Sequence, residues 1–158
     1  MYGPLDRPLG DTSRAEINRK SLEVYAASLF TREINRARFD SFIALIFGRS
    51  MKLMDLSEMR RYDPAVIRPP VGSRTVPIDR IRGSECRSDD FDSNFRPLRS
   101  HDRQRWINVA VARMYGLTQS PIELIHLNGF YFVRDGHHRV SIARALGERF
   151  IDAYVLAG

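Results

Sequence analysis

The sequence predicts an α+β protein, with a helical N-terminal extension over residues 1–67 and a small mixed-sheet domain over residues 75–158. Three observations carry this. Before residue 61 the apolar residues recur at three-to-four spacing, the period of a helix with one buried side. Past Arg74 they fall into short runs, two of them flanking an Asn-Gly pair. Between these regions, Arg68, Pro69, Pro70, Val71, Gly72, Ser73 and Arg74 break regular structure and mark the boundary.

Residues 1–12 read as a mobile lead-in. Ser13 and Glu16 have the spacing of a capping box, opening a helix that carries Ile17, Leu22, Tyr25, Leu29 and Phe30. Phe39, Phe42, Ile43, Ile46 and Phe47 continue the period up to Gly48, a natural C-cap. Met51 to Arg61 reads as a further helix. These stripes suit core packing, or a homodimer through the N-terminal helices.

Thr75 to Ile81 reads as a strand, with Pro77 placing it at an edge or a strand start. Gly83 to Leu98 is polar and loop-like. Ser100 is the expected cap of a helix whose Trp106, Ile107, Ala110, Val111 and Met114 share one face, ended by Gly116. Ile122 to Leu127 and Phe130 to Val133 flank Asn128 and Gly129, a strong hairpin signal because both turn positions need positive φ. Val140, Ile142, Ala143 and Leu146 return to helical spacing up to Gly147, and Phe150 to Leu156 closes as a strand.

The formal charge of +6 divides evenly about Arg74, so no dedicated basic tail exists. Diffuse basicity favours anionic partners only through steering. Lys20 and Lys52 are the only lysines; the other positive charges are arginines, whose planar fork suits phosphate. Cys86 is the single cysteine, which excludes an intramolecular disulfide and predicts a reducing, cytoplasmic location. The start of the chain has no signal-peptide core. The longest oily stretch, Phe42 to Phe47, is far too short to span a bilayer, so no membrane partner is expected.

Asp135, Gly136, His137, His138 and Arg139 sit between a strand and a helix. A helix N-terminus exposes free N–H groups at the positive end of its dipole, which makes an anion site. Gly136 permits a sharp turn and close approach of a ligand. Arg139 can present a bidentate fork to phosphate oxygens, His137 and His138 add donors, and Ser141 adds a hydroxyl. Asp135 can cap the helix, or hold a Mg²⁺ ion that bridges phosphates.

Pro121 to Leu124, followed by Gly129 to Gly147, resembles the central signature of the ParB/sulfiredoxin superfamily. That signature is a hairpin, a strand ending in Gly, a polar turn with Arg, and a short helix ending in Gly. Val76 to Ile81 is similar to the first strand of the family, and the likeness covers roughly residues 75–156. The resemblance implies that the turn cradles the phosphates of a nucleotide. Gly136, His137 and Arg139 match the ParB version, and His138 stands where Arg is usual. Sulfiredoxins place a nucleophilic Cys where this chain has His137, and Cys86 lies far off in sequence, so their chemistry is not expected. Asp135 to Arg139 is also close to the turn of the archaeal free-serine kinases, with His138 replacing Thr. Those enzymes need a glutamate base near the first strand, which makes Glu85 the candidate catalytic residue. The loop after the first strand faces the turn in relatives, which brings Arg87 to the phosphates. No segment of the chain reads as a DNA-recognition helix, and Asp89, Asp90 and Asp92 read as an acidic loop, not a two-metal nuclease site.

The expected function is therefore nucleotide binding with Mg²⁺, as a switch with weak, non-specific DNA association. A small-molecule kinase using Glu85 is the first alternative, and a nucleic-acid-associated scaffold without turnover is the second.

Overall fold

The structure, a computed structural model, describes residues 10–60 and 72–157. The expected α+β organisation is present. A long helix α1 (Gly10–Ile46) precedes a six-stranded mixed sheet. The strands are β1 (Met54–Asp55), β2 (Ser73–Pro77), β3 (Ile81–Ser84), β4 (Ile122–Leu127), β5 (Phe130–Asp135) and β6 (Phe150–Ala157). Helices α2 (Leu56–Arg60), α3 (Arg103–Met114) and α4 (His137–Ala145) complete the set. No helix among the described residues is long and apolar enough to cross a membrane.

The two apolar clusters expected before Gly48 form one continuous helix that already begins at Gly10. Ser13 is therefore inside the helix and is not its cap, and residues 10–12 belong to the helix and not to a lead-in. Gly48 follows the helix end in the left-handed region, φ 63°, as a C-terminal glycine should. The helix expected over Met51 to Arg61 is split: Met54 and Asp55 pair with β3 before the single turn of α2. Most of the Pro-Pro break, residues 68–71, lies outside the described residues, and Ser73 and Arg74 already belong to β2.

The sheet order is β1-β3-β5-β4-β6-β2. The strand expected over Thr75 to Ile81 is broken after Pro77 by a 3-10 turn, Ile78–Arg80, so that β2 and β3 lie far apart in the sheet. Pro77 ends an edge strand, where a missing ladder donor costs little. The Asn128–Gly129 turn has both φ values positive, 50° and 82°, and joins β4 and β5 in the expected antiparallel hairpin.

β4 and β5 are buried on both faces. Ile122, Leu124 and Val133 pack with Val140 and Ala143 of α4. Ile125, Leu127 and Phe132 face the other way, onto Leu56 of α2. A separate cluster joins α1 to α3 and α4: Leu29, Phe30 and Ile34 meet Trp106, Ile107, Ala110 and Ile142. Gly83 is where three strands crowd, since a Cβ there would run into the Met54 carbonyl and the Phe132 ring.

Candidate anion-binding cleft

β3 and β5 run parallel, with Ile81 opposite Tyr131 and Ser84 opposite Val133. Their carboxyl ends therefore finish side by side, the usual place for a crevice in a sheet with parallel strands. Residues 85–87 leave β3 there, and the 135–139 turn leaves β5. Together with α3 and the segment before β4 they enclose a cleft of about 460 Å³. One wall is Cys86 and Arg87, and the second is Arg105 and Val109 of α3. Thr118, Gln119 and Ser120 make the third, and Arg134 to Arg139 form the floor.

Gly136 is the N-cap of α4, at φ 96° and ψ 24°. Val140 donates to its carbonyl at 3.0 Å, so the amides of His137, His138 and Arg139 begin the helix without intrahelical acceptors. Gly136 lines the cleft and also has a packing role. A Cβ at this position would stand 2.5 Å from Ile122 Cγ2 and 3.1 Å from Arg139 Nε, so the glycine is needed for close packing on β4 as well as for positive φ.

Asp135 does not cap the helix, which has no side-chain cap. Its carboxylate accepts from Arg139 Nη2 at 2.6 Å. Arg139 also donates to the carbonyls of Ser120 and Pro121. The guanidinium expected to grip phosphate is thus also the tie that holds the segment before β4 against α4. Ser141 is not in the cleft. Its hydroxyl is buried and accepts from Trp106 Nε1 at 2.9 Å, one turn further along the helix.

His137 and His138 are both buried, and they differ. His137 lies stacked on Phe91, with centroids 6.1 Å apart, and its Nε2 is 2.8 Å from Ser84 Oγ. Burial, helped by Arg87 and His138, pushes its pKa down to about 4. His138 has no hydrogen-bond partner on either ring nitrogen. Its Nε2 stands 3.6 Å from Asp102 Oδ2, beyond hydrogen-bond reach. Burial lowers the pKa of His138, against the pull of Asp102 and with further lowering by Arg105 and Arg87. A buried, unsatisfied imidazole is costly, and such groups call for a functional account.

Arg87 lines the cleft, steadied by Asp102 at 3.6 Å and Asp90 at 3.9 Å. Glu85 stands just outside, its carboxylate 3.3 Å from Arg134. Sequence reasoning missed Arg105, Arg134, Asp102 and the segment Thr118 to Ser120. The spacing of Asp102 and Arg105, one turn apart at a helix start, was a usable signal for two of them. Ser100 was the expected cap of α3, but Asp102 occupies the N-cap position, its carbonyl accepting from the Trp106 amide at 2.9 Å.

Cys86 was set aside as remote from the turn. The parallel β3–β5 pairing brings it into the cleft wall with an exposed thiol. Asp92 is not a solvated loop carboxylate either. It is fully buried, accepts from the amides of Asn94 and Arg96, and takes the Arg96 guanidinium at 2.7 Å. Arg96 in turn meets Asp40 of α1 at 2.7 Å, so this pair anchors the loop to α1.

No group of three His, Cys, Asp or Glu side chains suited to a metal ion occurs among the described residues. The one carboxylate in the cleft wall, Asp135, already faces Arg139. A Mg²⁺ ion would find a single protein ligand here and would depend on ligand phosphates for the rest.

No described protein family matches the chain, and no curated protein matches it. Among solved structures, it is similar to sulfiredoxin from Arabidopsis thaliana, at 23% identity and a TM-score of 0.43, over 55% of this chain and 86% of that one.

Proposed function

We propose that this protein binds a nucleotide or another polyphosphate in the cleft at the start of α4. One observation carries the reading. Four arginines, Arg87, Arg105, Arg134 and Arg139, line a cleft whose floor is the N-terminus of a helix opened by a left-handed glycine. A volume of about 460 Å³ lies in the range of small-ligand sites. Each charge-assisted hydrogen bond there contributes about 1.5–3 kcal/mol, and the helix end adds roughly 0.3–1 kcal/mol.

Arg105 is the clearest donor for an arriving anion, because it is exposed and forms no ion pair among the described residues. The ring nitrogens of His138, unpartnered at the cleft, support the same reading. Glu85 is held by Arg134, so binding needs nothing from it, whereas phosphoryl transfer would require that pair to open.

A thermal-shift panel of ATP, ADP, GTP, CTP and inorganic triphosphate, each with and without Mg²⁺, tests the proposal. A ligand at a hundred times its dissociation constant should stabilise the protein by about 2.7 kcal/mol. No shift with any of these anions would overturn the reading.

A further inference from the structure

The least explained surface of the molecule is the outer side of α1. On its inner side, Ala26, Leu29, Phe30 and Ile34 are buried against α3 and α4, and Ala37 is buried as well. At 3.6 residues per turn, Ile17, Val24, Phe39, Phe42 and Ile46 fall on the opposite side. These five are between 60% and 71% exposed. With Leu45 and Tyr25 at the margins they leave on the order of 800 Å² uncovered, counting about 150–250 Å² for a whole aromatic side chain. A stable interface takes about 800 Å² from each partner.

The pattern along this side is as informative as its area. Apolar residues occupy both ends, and Ser28, Thr31 and Asn35 occupy the middle. We propose that α1 pairs antiparallel with α1 of a second copy of this chain, about a two-fold axis passing between Thr31 and Arg32. That axis sets Ile17 against Ile46 and Val24 against Phe39 at both ends of the pair. Ser28 then faces Asn35, and small polar residues at the centre let the helices approach. Isologous contacts of this kind need a self-complementary surface, which this distribution supplies. A parallel pair would instead leave the phenylalanines of one end stacked only on each other. Arg32, beside the axis, is drawn aside by the Glu33 carboxylate at 2.8 Å and the Ala145 carbonyl at 3.2 Å.

Sedimentation velocity on the full chain tests this. The wild type should sediment at twice the 18.2 kDa chain mass across micromolar concentrations. Phe39→Glu combined with Phe42→Glu should weaken association roughly a hundred-fold or more, as loss of aromatic anchor contacts does, with an unchanged circular dichroism spectrum. Both side chains are exposed, so the variant has no core to lose. In a Cys86→Ser background, mixing Ile17→Cys with Ile46→Cys protein should form mixed disulfides under oxidation. A monomeric wild type, a dimer indifferent to the double charge substitution, or cross-links only between like cysteines would each overturn the proposal. A wild-type monomer would also mean that the chain's own residues, or a different protein, cover this surface.

Discussion

Ser84 Oγ lies 2.8 Å from His137 Nε2, joining the end of β3 to the first turn of α4. The same hydroxyl accepts from the amides of Cys86, at 3.2 Å, and Arg87, at 2.8 Å. A hydroxyl has two lone pairs and one proton. With both lone pairs taken by amides, the proton goes to His137, whose Nε2 is the acceptor and whose own proton sits on Nδ1. A protonated ring would aim a second donor at an oxygen already filled. That agrees with the depressed pKa and makes His137 a neutral, structural member of the cleft.

The consequence is a pH-dependent stability. The folded pKa of His137 is about 4, against 6.5 for the free side chain, so the unfolded state binds more protons between those values. Its contribution is therefore complete above pH 6.5 and is lost as pH falls toward 4, amounting to at most about 3 kcal/mol. His138 acts in the same direction. Denaturant unfolding from neutral to acid pH should show the loss, and His137→Gln should flatten the profile by comparison. Ser84→Ala, which strands two amides and a ring nitrogen, should cost about 1–3 kcal/mol at neutral pH.

The arginines separate binding from support. Arg105→Ala should weaken binding of the best polyphosphate by about ten- to a hundred-fold and leave the melting temperature unchanged. Arg139→Ala should show the same loss of affinity together with a loss of stability, because it also unties Ser120 and Pro121. Arg144 makes a poor neutral control, since it donates to the carbonyls of Ile78 and Ile81 and lies over the Phe95 ring. Arg144→Ala should lower stability without touching affinity. Calorimetric titration beside thermal melts reads both quantities, with exposed Arg19→Ala as the silent control.

Gly136→Ala tests the turn. Positive φ costs a residue with a Cβ about 1–3 kcal/mol, and the collision with Ile122 adds about 1–3 kcal/mol of overpacking. A drop of roughly 2–6 kcal/mol in unfolding free energy is expected. An unchanged stability would show that the turn does not need glycine.

Cys86 should be dispensable as a group and sensitive as a position. Cys86→Ser keeps the shape of the cleft wall and should bind polyphosphate like the wild type. Alkylating the wild-type thiol with N-ethylmaleimide should block binding, and the Cys86→Ser protein should resist the same treatment. Intact binding after complete alkylation, confirmed by mass spectrometry, would place the ligand away from this wall.

Features set within a few residues of one another were legible in the sequence. Asn128–Gly129 forces a hairpin because both residues tolerate positive φ. Gly136 to Arg139 open a helix, and Gly48 follows the end of one. Three-to-four spacing announced both helices and the buried side of α3. Of the α1 residues it picked out, however, only Leu29 and Phe30 are buried, while Ile17, Tyr25, Phe39, Phe42 and Ile46 are exposed. What could not be read was which distant segments meet. A break after Pro77 sends β2 to one edge of the sheet and β3 toward the other, and that choice belongs to strand pairing, which leaves no local mark. The same pairing brings Cys86 beside His137 and places Ser84 under the imidazole. Ser141 offered a hydroxyl to the turn, yet the helix sets it against Trp106. The outer side of α1 shows the same limit from the other direction. The apolar pattern announced a helix with something to bury, but the packing of α3 and α4 decided which residues were buried within the chain. Periodicity is a property of neighbours along the chain, whereas burial is a property of whatever the fold brings against them.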